Sequence, residues 1–191
     1  MVEPLSKNDQ KILLAVARQA IVHVTQGRTS DNLDLASFQR VLTERGASFV
    51  TLHRKDNGQL RGCIGVLEAY QPLVQDVQDH AIAAALEDYR FPPVKFQEVQ
   101  DLKIEISRLT AATKVKYTSP LALPALLRPG VDGVILRDGF HKATFLPQVW
   151  EQLPDPEDFL GQLCQKMGAN RDCWKKKILE VAIYQVEEFH E

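Results

Sequence analysis

Two turn signals constrain the fold of this chain more than any other feature. Asp56-Asn57-Gly58 separates two apolar segments, residues 47–55 and 59–67, and Asp138-Gly139 separates residues 131–137 from 140–145. An Asn-Gly or Asp-Gly pair between alternating apolar residues is the strongest short-range signal of a β-hairpin. The sequence therefore predicts two hairpins, and with them antiparallel sheet.

Helical periodicity and capping residues account for much of the remaining chain. Ser6 is a suitable N-cap for a helix over residues 7–25, which Gly27 would end. Pro72 fits the first turn of a second long helix. Further predicted elements are short helices near 37–43 and 120–127, a helix over 157–167, and strands over 102–109, 114–117 and 177–189. Because hairpins outnumber parallel βαβ units, we predict an α+β fold with a mostly antiparallel sheet packed with helices.

Composition excludes several functional classes. The chain of 191 residues has a formal charge of -2, which argues against the basic surface that nucleic-acid binding requires. No apolar run approaches the ~20 residues that span a bilayer, and the start, MVEPLSKNDQ, lacks the apolar segment of a signal peptide. The 3 cysteines include no Cys-x-x-Cys pair. We therefore predict a cytoplasmic protein without a metal site, a disulfide framework or a nucleic-acid or membrane partner.

The first hairpin allows two registers. If Asn57-Gly58 is a two-residue turn, Arg54 lies opposite Arg61, which is unfavourable for like charges. If Asp56-Asn57-Gly58 is a three-residue loop, the predicted pairs are His53 with Arg61, Thr51 with Cys63 and Val50 with Ile64. We prefer the second register, because it places Val50, Leu52, Leu60 and Ile64 on one face and Thr51, His53, Arg61 and Cys63 on the other.

That polar face is the main candidate for a functional site. Arg61 can hold a carboxylate or phosphate with its forked guanidinium. Cys63 beside a cation is a candidate nucleophile, and His53 a candidate base. Gly62 and Gly65 would leave the neighbouring backbone accessible to a ligand. The alternative is that Cys63 only fills space in the core and that Arg61 pairs with a structural carboxylate.

Three further groups of residues have candidate roles. Glu105 would reach Arg61 or His53 if its strand neighbours residues 60–65, although an exposed sheet face is the favoured alternative. Asp88 and Arg90 could line a pocket, but a local ion pair at the helix exit is favoured over that role. Cys164 and Cys173 lack the His or carboxylate partners of a metal site.

Residues 60–65, LRGCIG, are the hallmark of a known family, and the chain resembles it along most of its length. The family is the AMMECR-type domain family. The segments that carry the resemblance occur in the same order as in that family: FVTLHRKDNGQLRGCIGVLEA, AIAAALEDYRFPPV, LKIEISRLT, VDGVILRDG, ATFLPQVW and DFLGQLCQKMG.

The resemblance implies a single AMMECR-type domain over residues 1–191, with a larger and a smaller lobe around a cleft to which LRGCIG contributes. It implies a relationship to component A of the AmmeMemoRadiSam system, whose partners are a Memo-like protein and a radical SAM protein. It implies no cofactor and no established reaction. The chain departs from the family at Asp132, where many relatives have histidine, and at Met167, where a smaller residue is frequent.

Three hypotheses follow for function. The first is an enzyme, or a substrate-handling component, that binds an unidentified small molecule through Arg61 and uses Cys63 with His53 or Glu105. The second is a non-catalytic adaptor that binds a partner through the cleft or through an exposed Trp150. The third gives LRGCIG a purely structural role.

Overall fold

A computed structural model describes residues 4–30 and 32–191. It confirms the α+β class, with antiparallel sheets packed against helices. The helices are α1 (Lys7–Thr25), α2 (Arg40–Thr43), α3 (Leu73–Leu86), α4 (Pro156–Lys166) and α5 (Cys173–Lys176). The strands are β1 (Arg45–Arg54), β2 (Leu60–Gly65), β3 (Gln71–Pro72), β4 (Leu102–Leu109), β5 (Thr113–Lys114), β6 (Gly133–Asp138), β7 (His141–Phe145), β8 (Glu180–Tyr184) and β9 (Val186–His190).

The chain divides into two compact units. The first comprises Met1–Leu109 with Glu187–Glu191, and the second comprises Thr110–Val186. The first three residues of the polar amino-terminal segment lie outside the described residues. Within the described ranges, no helix has both the length and the apolar character needed to cross a membrane.

The sheet of the first unit has the strand order β2-β1-β4-β9, and β3 pairs with the start of β1. Helices α1 and α3 cover one face of it, where Val50, Leu52, Ile104 and Ile106 are fully buried. The bounds of α1 and β4 match the prediction at both ends. The Ser6 hydroxyl accepts the Asp9 N–H at 3.1 Å at the start of α1, as expected for an N-cap.

The first hairpin confirms part of the predicted register. Thr51 pairs with Cys63, and Val50 pairs with Ile64. The prediction that His53 pairs with Arg61 is wrong, because His53 pairs with Leu60 and the register shifts between Leu52 and His53. Arg61 is therefore the additional residue of a β-bulge, and it leaves the regular alternation of faces.

The hairpin loop explains this shift. The Arg54 N–H donates to the Gln59 carbonyl at 2.9 Å, and the Gly58 N–H donates to the Arg54 carbonyl at 2.8 Å. The loop thus runs from Lys55 to Gly58, one residue longer than predicted, with Gly58 in the left-handed region at φ 69°. The bulge at Arg61 compensates for that residue and restores the predicted pairs from Thr51 onward.

The second unit contains a sheet with the order β5-β8-β6-β7, in which the predicted hairpin joins β6 and β7. The region that was predicted as one final strand forms two strands, β8 and β9, which belong to different sheets. Residues 120–127 form two short 3-10 turns rather than one helix.

The core of the second unit corrects the expectation that Trp150 is exposed. The Trp150 side chain is only 3% exposed and stacks on the Phe159 ring, with 3.7 Å between the ring centroids. Its indole N–H donates to the Asp132 carbonyl at 2.7 Å. The Asp132 carboxylate is fully buried and accepts hydrogen bonds from the Arg128 backbone N–H and guanidinium. Asp132 therefore has a structural role here, and Trp150 offers no binding surface.

Candidate functional site

Strand β2 lies at the edge of its sheet and has close neighbours on both faces. A Cβ atom at residue 62 would lie 2.1 Å from the Ala84 carbonyl oxygen in α3. At residue 65, a Cβ atom would lie 2.4 Å from the Phe49 ring and from the Ser48 carbonyl. Both distances are far inside van der Waals contact, so only glycine allows the helix and the sheet backbone to approach this closely.

The bulge directs Arg61 towards the 3-10 turn Phe96–Asp101. Its guanidinium Nε donates to Glu98 Oε1 at 3.3 Å, and Nη2 donates to Glu98 Oε2 at 3.2 Å. Arg61 is only 3% exposed, and its remaining nitrogen, Nη1, is buried without a hydrogen-bond partner within residues 4–30 and 32–191. An unsatisfied buried donor costs about 1–3 kcal/mol, and more when it is charged. No described protein group accepts a hydrogen bond from Nη1, so this nitrogen is able to donate to another group.

Arg61 and Glu98 line a cavity of about 630 Å³ within the first unit. Its charged lining also includes Arg54, which lies 3.6 Å from the Glu98 carboxylate, and Lys95. Three cationic side chains and one carboxylate therefore line the cavity. The remaining lining is mainly apolar and includes Leu60, Phe91, Pro92 and Pro93. A cavity with excess positive charge and apolar walls suits an anionic group carried on an apolar body.

The carboxylate of Glu98 is held in its ionised form. Burial opposes ionisation, but the Lys95 backbone N–H and the charges of Arg61 and Arg54 outweigh it and lower the pKa of Glu98. Glu98 thus stays negative near neutral pH and positions both arginines at the cavity.

Asp88 and Arg90 bind the free edge of β2 at Cys63. The Cys63 N–H donates to Asp88 Oδ2 at 2.8 Å, and Arg90 Nη2 donates to the Cys63 carbonyl at 3.2 Å. Arg90 also donates to Asp88 Oδ2 at 2.7 Å. These bonds satisfy edge backbone groups that would otherwise be open to pairing with another chain. Hydrogen bonding by the Arg90 side chain, despite burial and with help from the Cys63 N–H, holds the pKa of Asp88 well below its ordinary value.

Cys63 belongs to a row of side chains that crosses three strands. Thr51 Oγ1 donates to Cys63 Sγ at 3.4 Å, and Thr51 pairs with Glu105 on its other side. Neighbouring strands are about 4.8 Å apart, so the Cα atoms of Cys63 and Glu105 are about 10 Å apart. His53 Nδ1 bonds instead with the Gly58 carbonyl at 3.2 Å. In the described part of the chain, no hydrogen bond joins Cys63 to His53 or Glu105.

The predicted site residues are thus divided between two places. Arg61 lies at the cavity with Glu98, whereas Cys63 lies with Thr51 and is held by Asp88 and Arg90. Glu105 does not meet Arg61, because β1 separates its strand from β2. The catalytic role of Cys63, His53 and Glu105 stays a prediction.

Sequence reasoning missed three lining residues, Arg54, Lys95 and Glu98. A signal for Glu98 does exist in the sequence. Lys95 stands two residues after Pro93, and Glu98 stands three residues after Lys95, which is the spacing at which a glutamate reaches back to the N-cap backbone. Across residues 4–30 and 32–191, no three metal-binding side chains lie together.

The family model described as AMMECR1 matches residues 14–189. The chain belongs to the AMMECR1 family. This confirms the resemblance carried by LRGCIG and the other segments.

Members of the AMMECR1 family with similar sequences occur in archaea. A protein of Methanothermobacter thermautotrophicus is 40% identical over 190 residues, covering 98% of this chain and 97% of the relative. Protein MJ0810 of Methanocaldococcus jannaschii is 33% identical over 176 residues, covering 92% of this chain and 86% of the relative. The crystal structure of the uncharacterized protein PH0010 from Pyrococcus horikoshii has a TM-score of 0.82 and 33% identity, covering 98% of this chain and 93% of that one. The fold of PH0010 is therefore similar to the fold of this chain.

Proposed function

We propose that this protein is a substrate-handling component that binds a small anionic molecule in the cavity at Arg61. One observation carries the proposal: Arg61, whose buried Nη1 has no hydrogen-bond partner among the described residues, lines a cavity that also carries Arg54 and Lys95. An oxygen atom of a carboxylate or phosphate group would supply the missing acceptor. The energy of such a charge-assisted bond is roughly twice that of a neutral one.

The lining also favours a particular kind of ligand. Arg54 and Lys95 can neutralise a second negative charge, and the wall formed by Leu60, Phe91 and Pro93 can cover an apolar or aromatic group. A carboxylate or phosphate on a ring or short apolar chain fits both features. Inorganic phosphate would use only the positive charges, because it has no apolar group to place against the wall.

Binding is tested by calorimetric titration of the purified protein with phenyl phosphate, inorganic phosphate and phenol at low salt. Phenyl phosphate should bind most tightly, inorganic phosphate more weakly, and phenol not measurably. Arg61→Gln should weaken phenyl phosphate binding roughly tenfold or more, a loss of about 1.4 kcal/mol. Lys95→Gln, which changes an exposed cation, should weaken it only about two- to fivefold.

Two variants control this test. Arg61→Lys keeps the charge but not the fork, so it separates the loss of geometry from the loss of charge. Arg40→Gln removes an exposed arginine that pairs with Glu44 in α2, and it should leave binding unchanged. The proposal fails if the wild type binds none of the anions at 10 mM, on the order of the weakest useful affinity, or if folded Arg61→Gln binds phenyl phosphate like the wild type.

We also propose that this component works in the cytoplasm with a Memo-like protein and a radical SAM protein, to which it delivers its ligand. The family resemblance supports this proposal. Tagged protein should recover both partners in stoichiometric amounts when the three are co-expressed. If neither partner is recovered, with or without phenyl phosphate, the proposed partnership is wrong, but the proposal of anion binding is unaffected.

A further inference from the structure

Cys164 and Cys173 lie side by side in the core of the second unit. Cys164 is in α4 and Cys173 begins α5, and their sulfur atoms are 2.7 Å apart. Nonbonded heavy atoms normally pack at about 3.5–4.0 Å, and a disulfide bond is about 2.05 Å long. The two thiols are therefore closer than packing requires and near to bonding distance.

We propose that Cys164 and Cys173 are a redox-active pair that forms an intramolecular disulfide, which makes the junction of α4 and α5 a site of reversible covalent modification. This site is separate from the Arg61 cavity, and it does not rest on the proposed function. The predicted absence of disulfides followed from the spacing of the cysteines, which does not show that the chain turns back between them.

The turn between the two cysteines holds them in place. The Ala169 N–H donates to the Cys164 carbonyl at 2.9 Å, and the Cys173 N–H donates to the Asn170 carbonyl at 2.9 Å. Gly168, with φ 84°, allows the chain to reverse after α4. Because the backbone is already fixed by these bonds, the sulfurs need only a small side-chain movement to bond.

A metal site does not explain the pair as well as a disulfide does. Structural zinc needs four ligands at tetrahedral geometry. Among the described residues, no third histidine, cysteine or carboxylate joins the two sulfurs to form a possible metal cluster. Two thiols with no further ligand are suited to oxidation with each other.

The chemistry balances with a low-molecular-weight disulfide as oxidant. Burial, together with hydrogen bonding to Cys173, raises the pKa of Cys164 to about 12, so that thiol is protonated at neutral pH. Cys173 is 9% exposed and Cys164 is fully buried, so Cys173 is the point of entry. The Cys173 thiolate attacks the oxidant, whose S–S bond breaks to release one thiol and leave a mixed disulfide.

The second step closes the protein disulfide. Cys164 loses its proton and attacks the Cys173 sulfur, which displaces the second thiol of the oxidant. Two electrons and two protons thus pass from the protein to the oxidant, which ends as two thiols.

Peptide mapping of the intact wild-type protein tests the proposal. The protein is incubated with oxidised glutathione, alkylated in denaturant with N-ethylmaleimide and digested with trypsin. Cleavage after Lys142, Lys166, Arg171 and Lys175 separates the two cysteines, so the disulfide joins DCWK to ATFLPQVWEQLPDPEDFLGQLCQK. We expect this linked pair, with alkylation only at Cys63. Alkylation of all three cysteines after oxidation would refute the proposal, as would cross-links that involve mainly Cys63.

Thermal unfolding provides an independent readout. Oxidation should raise Tm by roughly 5–10 °C, because a short closed loop constrains the unfolded chain. A reducing agent should reverse the shift. Cys63→Ala, the matched control, should retain both the linked peptides and the shift, whereas Cys164→Ala should lose both. Equal Tm values for oxidised and reduced wild type would show that the disulfide does not stabilise the fold, and would contradict the preformed geometry.

Discussion

The Arg61 guanidinium and the Glu98 carboxylate form a two-point ion pair that leaves one guanidinium nitrogen, Nη1, without a partner in the described part of the chain. Both distances, 3.3 and 3.2 Å, are longer than the roughly 2.7–2.9 Å of typical charge-assisted N–H···O bonds. Glu98 therefore positions Arg61 at the cavity, but it accepts hydrogen bonds from only two of the guanidinium nitrogens of Arg61. This relationship distinguishes Arg61 from Arg90, whose partner Asp88 also fixes the strand edge.

Glu98→Gln should destabilise the protein and make it respond more strongly to anions. The variant loses the charge that offsets the buried Arg61, at a cost of about 1–3 kcal/mol. Phosphate should then raise its free energy of unfolding more than it raises that of the wild type. Urea unfolding with and without 20 mM phosphate, roughly the scale of a weak millimolar affinity, measures both effects. Glu44→Gln, which removes an exposed partner of Arg40, is the control. An identical phosphate response in wild type and Glu98→Gln would contradict the assignment.

Gly62→Ala should destabilise the protein more than Gly58→Ala. The added Cβ at residue 62 would meet the Ala84 backbone at 2.1 Å, and backbone cannot rotate away as a side chain can. We expect a cost of about 3 kcal/mol or more. At Gly58 nothing lies within 4 Å, so only the left-handed conformation is strained, at about 1 kcal/mol. Urea unfolding of the two variants gives the comparison, and equal costs would mean that helix α3 can move away from β2.

Cys63 should be the first cysteine to react with iodoacetamide in the native reduced protein. It is partly exposed, whereas Cys164 and Cys173 are buried. Thr51→Val removes the hydroxyl that donates to the Cys63 sulfur and should slow alkylation about two- to fivefold, because a donor to the sulfur stabilises the charge that develops there during attack. Mass spectrometry of timed samples follows each cysteine. Thr51→Ser, which keeps the hydroxyl, should react like the wild type. A native Cys63 that resists alkylation as the buried pair does would exclude nucleophilic catalysis.

Asp88→Asn should lower the free energy of unfolding at neutral pH. As the pH falls, the free energy of unfolding should decline less in the variant than in the wild type. The folded-state pKa of Asp88 lies below its unfolded value of about 3.9, chiefly because of the Arg90 side chain. The ionised form therefore adds stability that is fully present above about pH 5, declines as the pH falls below the unfolded value and is lost through the folded value. We expect a loss of about 2 kcal/mol at pH 7 and a smaller one near pH 2.

Urea unfolding between pH 2 and pH 7, roughly the window set by the carboxylate pKa values, measures this difference. Glu87→Gln is the matched control, because Glu87 is the exposed neighbour of Asp88. A stability difference between wild type and Asp88→Asn that stays constant across this range would show that the carboxylate charge does not contribute.

Local patterns predicted the regular elements well. The predicted bounds of α1 and β4 match the structure at both ends. An N-cap and a terminal glycine mark the ends of α1, and alternating apolar residues mark β4. Each of these signals acts within a few residues. The two hairpins also follow from short turn signals. The prediction of one final strand failed for a different reason: β8 and β9 are continuous in pattern, but they find partners in different sheets.

The site was less predictable than the fold. LRGCIG marked the strand, and Arg61 and Cys63 were named from it. Their separation was not visible, because an alternating strand would place both side chains on one face. The bulge that separates them depends on the loop length and is accompanied by the distant pairing of Arg61 with Glu98. Trp150 was expected to be exposed because nothing near it in sequence identifies Phe159 as its stacking partner.

The sequence by itself determined the fold class, the family and the two hairpins. Only the tertiary structure decided which charged side chains form pairs and which cysteines are neighbours. It also decided that Arg61 departs from the alternation of faces along β2. The physical reason is the separation along the chain over which each interaction acts. Propensity, capping and turn chemistry act between residues that are close in sequence. The contacts between Arg61 and Glu98 and between Cys164 and Cys173 exist only once separate segments have packed together.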